Sequence, residues 1–313
     1  MPDAVWIDRG ESFVLLERSG LLRRIASPAL VQRQQLRLKA PCSAMHESAE
    51  GLVLTMPTRK ELWVIDTNLF EVKRRIAVRN LTGVATAPGT SLAVAAAHSQ
   101  LDIDRLSLID LKTGRQVKRY RTHDLRAQAG RSLRRHATPG KLRSIDALAM
   151  TPNGKHLLVL GGGSLHRMAV KDGGLEYEEV GPKIVDRGVA RIDTSGDSNY
   201  VAAISPGGNL HPDDHPHMRK RGTYVYAVGN LQQPVISLDT GPGTRSLTFD
   251  KARRHLYTQS ARRHILTFEP NGRVSREWLL PGVGRCRNLV LAPDGSAMLM
   301  LADEKACWIR FEK

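Results

Sequence analysis

A chain of 313 residues, 41% apolar and 25% charged, is too apolar for wholesale disorder. It is long enough for two average domains or one large ring-like fold. Its 47 Lys and Arg against 31 acidic residues leave a formal net charge of +16, a balance that suits an anionic partner (nucleic acid, a membrane surface or an acidic protein face) or serves solubility alone.

The first stretch, "MPDAVWIDRGESFVLLERSG", carries charges at Asp3, Asp8, Arg9 and Glu11. No uninterrupted apolar run of the kind a secretory signal needs is present, and apolar runs elsewhere are too short for a membrane span. "AVWI" opens the first of a series of short alternating segments. "LLRRIASPALVQRQQLRL" (21–38), moved forty residues along, falls on "ELWVIDTNLFEVKRRIAV" (61–78), with Leu22 on Leu62, Ile25 on Ile65, Leu30 on Phe70 and Leu36 on Ile76. "RLSLIDLKTGRQVKRY" (105–120) and "HILTFEPNGRVSREWLL" (264–280) repeat the form. Each is an alternating apolar stretch, a polar turn and a second alternating stretch, which predicts a two-stranded hairpin.

Ahead of the hairpins lie phrases of a second kind. "LTGVATAPGTSLAVAAA" (81–97), "IDALAMTPNGKHLLVLG" (145–161), "GVARIDTSGDSNYVAAI" (188–204), "TRSLTFDKARRHLYTQS" (244–260) and "RNLVLAPDGSAMLMLAD" (287–303) each run from strand through turn to a strongly apolar strand. Pro presets φ in such a turn and Gly takes its positive-φ position. Together the two kinds of phrase make a unit of four strands in roughly 40 to 45 residues. First strands are expected near residues 4, 43, 83, 145, 188, 244 and 287. The sequence therefore predicts an all-β fold, a seven-bladed β-propeller of four-stranded antiparallel blades, forming one domain over 1–313. The seventh unit ends at "CWIRFEK" with three strands. Its outermost strand is absent, or "AVWI" pairs there as a clasp, or residues beyond the chain complete it.

"TPNGKHLLVL", "APDGSAMLML", "LWVID" and "LIDLKTGRQV" give the chain a resemblance to the WD-repeat and YVTN-type β-propeller families. The match departs from the WD pattern in one respect: "LWVID" holds Trp63 and Asp66, but no unit pairs a Gly-His start with a Trp-Asp end. The resemblance implies an interaction platform, with propeller lactonases and hydrolases as the enzymatic alternative.

Two stretches exceed the repeat length, and propellers bind through such loops. "RTHDLRAQAGRSLRRHATPGKLR" (121–143) carries seven basic residues against Asp124 alone. Arg126, Arg131, Arg134, Arg135, Lys141 and Arg143 are its candidate partner-binding residues, because the guanidinium fork suits carboxylate and phosphate. "SPGGNLHPDDHPHMRKRGTY" (205–224) adds Arg219, Lys220 and Arg221. Its His211, Asp213, His215 and His217 have ligand chemistry but match neither a helical HExxH nor a zinc-finger spacing, so 205–222 is expected to protrude without tight metal binding. No catalytic signature is present, and no cofactor is expected. Asp146, Asp193 and Asp250 lie near blade strands, where turn hydrogen bonding is their usual role. Trp6, Trp63, Trp278 and Trp308 sit within strand patterns and are assigned to blade packing.

Cys42, Cys286 and Cys307 form no CxxC pair, which speaks against a zinc ribbon or disulfide framework and favours a reducing, cytoplasmic setting. The function expected is a non-enzymatic scaffold within a larger complex, its basic loops docking a protein with an acidic surface, with nucleic acid as the alternative partner.

Overall fold

The computed structural model describes residues 3–7, 11–17, 19–27, 29–98, 105–121, 125, 145–171, 173–184, 191–204, 222–238, 246–250, 256–259, 264–269, 273–279, 286–302 and 306–311. The described residues are strands and short turns, with one turn of 3-10 helix at Pro57–Arg59 and a helical residue at Leu125.

The strands fall into consecutive antiparallel sheets. The first holds β1 (Asp3–Ile7), β2 (Ser12–Leu16), β3 (Leu21–Ala26) and β4 (Val31–Arg37). The second holds β5 (Ala44–Ser48), β6 (Gly51–Met56), β7 (Glu61–Asp66) and β8 (Glu71–Ala77). The third holds β9 (Leu81–Thr86), β10 (Leu92–Ala97), β11 (Arg105–Asp110) and β12 (Arg115–Arg121). β13 (Ala147–Met150), β14 (His156–Gly161), β15 (Ser164–Lys171) and β16 (Gly174–Lys183) form the fourth. β17 (Arg191–Thr194), β18 (Tyr200–Ile204), β19 (Thr223–Ala227) and β20 (Ile236–Leu238) form the fifth. The sixth is β21 (Leu247–Phe249), β22 (Leu256–Gln259), β23 (His264–Phe268) and β24 (Val274–Leu279). Among the described residues, six sheets thus have four strands, and the last, β25 (Cys286–Leu291), β26 (Ala297–Ala302) and β27 (Ala306–Arg310), has three.

Within each sheet, strands neighbour in chain order, as hairpin connections demand. First strands touch first strands: β1 lies by β5, β5 by β9, β9 by β13, and so on to β25, which returns to β1. That ring makes the chain a β-propeller of four-stranded antiparallel blades. The first strands begin within three residues of the positions expected from the repeat.

The core lies between sheets. Val14, Leu16 and Leu22 pack on Leu52, Leu54 and Trp63, joining the first sheet to the second. Val94, Leu106 and Leu108 pack on Met150, Leu157 and Met168, joining the third to the fourth. Second strands supply much of this apolar surface; Met298, Leu299, Met300 and Leu301 of β26 are all buried. Burial of each such side chain stabilises by about 1.5–3 kcal/mol, so every seam carries a large share of the folding energy.

The seam between last and first sheets settles the fate of "AVWI". β1 pairs with β2 and heads its own sheet, so the clasp arrangement does not occur. β1 pairs along one edge with β2 and presents side chains to the last sheet. Trp6, Phe13 and Trp308 form an aromatic cluster with centroids 5.3 to 5.8 Å apart, and Asn288 Nδ2 donates to Asp3 Oδ1 at 2.8 Å. The Trp assignments agree with this packing: Trp63 is buried and Trp278 stacks on Tyr257.

Candidate partner-binding face

An up-and-down sheet sends its connections to two opposite faces. First-to-second and third-to-fourth turns emerge on one, here named the turn face. Second-to-third connections and those between sheets emerge on the other, the insertion face.

The turn face is bolted together by short-range chemistry. In "TPNG", the Gly154 N–H donates to the Thr151 carbonyl at 2.8 Å while Gly154 sits at φ 71°. The Thr151 hydroxyl donates to Asn153 Oδ1 at 2.8 Å, and the His156 N–H donates back to that hydroxyl at 3.0 Å. "SGDSN" builds the same frame from Ser195, Asp197 and Ser198. Neighbouring turns then join: Ala49 N–H donates to the Thr90 carbonyl at 3.1 Å, and Ser91 Oγ donates to Glu50 Oε1 at 2.8 Å. Arginines add a second set of clamps. Arg24 donates to the Thr67 carbonyl at 2.7 Å, Arg74 to Leu111 at 2.6 Å, and Arg167 to Val228. Each reaches from one sheet to the third-to-fourth turn of the next, so part of the chain's positive charge is structural.

The insertion face differs. The 121–143 stretch leaves from Arg121 at the end of β12, and 205–222 runs from the end of β18 to the start of β19. These two connection types share a face, so both basic stretches spring from the same side of the disc. Arg126, Arg131, Arg134, Arg135, Lys141, Arg143, Arg219, Lys220 and Arg221 themselves lie outside the described residues, as do His211, Asp213, His215 and His217. Of the insertion, Leu125 is described; it is buried against Tyr120, Val180 and Leu157.

A channel runs along the axis as two chambers. One, of about 340 Å³, opens among strand beginnings on the insertion face and is lined by Asp3, Ser43, Gly83 and Asp146. The other, of about 290 Å³, lies toward the turn face among Glu47, Thr86, Thr194 and Phe249. Met45, His46, Leu148, Arg191 and Asn288 line both and form the waist. Asp3 accepts from the N–H groups of Ala4 at 2.9 Å and Met45 at 3.0 Å. Arg191 donates to Asn288 Oδ1 at 2.7 Å. Burial raises the Asp3 pKa above the usual carboxylate value, against the hydrogen bonds and the nearby Arg191 charge, which lower it. Burial pushes His46 down to about 4, so its imidazole is neutral at pH 7.

Of the sequence-picked acids, Asp193 accepts from Thr194 N–H at 2.9 Å and Phe249 N–H at 3.0 Å, splicing the fifth sheet to the sixth. Asp250 is buried at the next seam, 2.8 Å from where a β-carbon on Gly295 would stand. Asp146 lines the channel mouth. Among the described residues no group of three or more His, Cys, Asp or Glu side chains is gathered as metal ligands. Asp3, His46, Arg191 and Asn288 were not singled out in the sequence. Their common signal is a polar residue on a first strand.

No protein-family model matches the chain, and no curated protein matches it. Among solved structures, a chain in the crystal structure of a mitotic checkpoint complex superposes with a TM-score of 0.71. The match covers 97% of this chain and 88% of that one at 9% identity. At that identity the likeness is one of fold.

Proposed function

We propose that this chain is a non-enzymatic scaffold, a seven-bladed propeller with the three-stranded sheet as its seventh blade. In this reading it is a divergent WD- or YVTN-type propeller in the cytoplasm. Its insertion face docks a protein partner with an acidic surface, through the basic residues of 121–143 and 205–222.

The observation that carries this reading is that the strand ends flanking both long basic stretches lie on one face, while the opposite face uses its polar groups to join blades. A ring that closes through buried seams does not need a net +6 stretch between its third and fourth sheets. Added length in a connection costs the fold little entropy. Clustered arginines repel one another, and an anionic partner relieves that repulsion. The likeness to a component of a multiprotein complex is consistent with such a role. A channel hydrolase would need acids or histidines converging at the waist; Asp3 and Asp193 instead hold backbone N–H groups.

The test compares wild type with the Arg131→Ala, Arg134→Ala, Arg135→Ala triple variant in lysate capture, with and without nuclease. The expected result is nuclease-resistant capture of an acidic protein, weakened in the variant, with a shallower salt dependence. Unchanged capture by the variant overturns the docking reading. Capture abolished by nuclease replaces the protein partner with nucleic acid, whose phosphate contacts make binding steeply salt-dependent.

A further inference from the structure

Where the second and third sheets meet on the insertion face, a notch of about 40 Å³ is lined by Arg79, His98, Arg105, Ser107, Gln116 and Arg119, with no acid among the described residues of its wall. The strand register brings the cations together. Arg105 lies directly across from Arg121, and Ser107 from Arg119, so these side chains share one side of the sheet. Opposed residues on one side stand within about 5 Å at Cβ, where like charges repel. The back of the notch is held by the His98 N–H, which donates to the Asn80 carbonyl at 3.0 Å. Arg119 Nη2 is steadied by Gln116 Oε1 at 3.0 Å.

Arg105 is the informative member. Its Nε is buried and has no hydrogen-bond partner. A guanidinium N–H taken out of water without an acceptor bears its full desolvation cost, and native structures rarely leave one so. Fixing it beside two further arginines compounds that cost. An acceptor with several negatively charged oxygens would relieve both.

We propose that this notch binds a phosphoryl group carried on a side chain of the partner protein. A phosphoryl group brings a charge of about −1.5 to −2 and three acceptor oxygens, matching several arginines where a carboxylate matches one or two. The notch is small, so it meets one protruding group and not a run of them. A nucleic-acid backbone would instead call for a groove that tracks successive phosphates. The proposal rests on the insertion face being the docking face. Because its probes need no partner, its failure would leave the docking of an acidic surface by the loops standing.

The experiment uses the full chain in low-salt chloride buffer. Binding is measured calorimetrically for inorganic phosphate, a tripeptide with central phosphoserine, the same tripeptide with glutamate, and a single-stranded oligonucleotide. Wild type should bind phosphate and the phosphoserine peptide saturably, and the glutamate peptide more weakly. Arg105→Gln should weaken phosphoserine binding by on the order of tenfold or more. Arg105→Lys should fail to restore it, because a point charge lacks the planar fork. Should Arg105→Gln not fold by circular dichroism, the exposed Arg119→Gln carries the same expectation. The proposal is overturned by absence of saturable phosphate binding, by unchanged affinity in the folded variant, by equal binding of the glutamate peptide, or by tighter binding of the oligonucleotide.

Discussion

The backbone N–H of Asn153 donates to the Ser198 hydroxyl at 3.1 Å, linking the first turn of the fourth sheet to the first turn of the fifth. Ser198 holds that position at φ 64°, where its counterpart in the preceding turn is Gly154. The chain thus accepts left-handed strain at a non-glycine residue and gains a bond between blades in return.

Substitutions at Ser198 should separate those two effects. Ser198→Gly relieves the backbone but deletes the hydroxyl, and the two changes nearly offset. Ser198→Ala keeps the strained conformation and loses the bond, at a cost of about 1–2 kcal/mol. The expected order of stability in urea is wild type and Gly together, with Ala below them. Ala equal to wild type would show that the seam does not use this contact.

Leu30 and Phe70, both at φ 57°, occupy the same left-handed position in the third-to-fourth turns of the first and second sheets. Gly114, at φ 76°, fills it in the third. Leu30 is 43% exposed and Phe70 only 5%. Leu30→Gly should therefore be neutral or stabilise by up to about 1 kcal/mol, as the strain disappears and little burial is lost. Phe70→Gly removes a side chain packed between the first and second sheets and should destabilise by about 3 kcal/mol or more. Thermal denaturation of the two variants should shift in opposite directions, or only for Phe70.

His46 predicts a pH dependence. Its folded pKa is depressed from 6.5 to about 4 because the channel waist desolvates the imidazolium. A base with a lowered folded pKa binds fewer protons in the native state, so its contribution is fully present above pH 6.5. That contribution is lost as pH falls from about 6.5 toward 4. The melting temperature of wild type should fall more steeply across that window than that of His46→Asn. Parallel profiles would mean the imidazolium is already solvated within the channel.

The sequence alone determined the repeat, and with it the strand starts and the turn chemistry. That information is local: alternation within a strand and Pro, Asn, Asp or Gly in a turn act over a handful of residues, so "TPNGKHLLVL" and "APDGSAMLML" announce the same strand-turn-strand wherever they stand. What lay beyond its reach depends on residues far apart in the chain. That β1 heads its own sheet and meets the last one through Trp6, Trp308, Asp3 and Asn288 follows from ring closure across nearly the whole chain. Arg24, Arg74 and Arg167 clamp neighbouring turns, which no local pattern marks, because a side chain's partner depends on which sheet is packed beside it. Arg105 appears in the sequence as an ordinary strand residue. Only the packing of the second sheet against the third buries its Nε among other arginines, and only the parity of strand connections puts that notch on the face from which both basic stretches emerge.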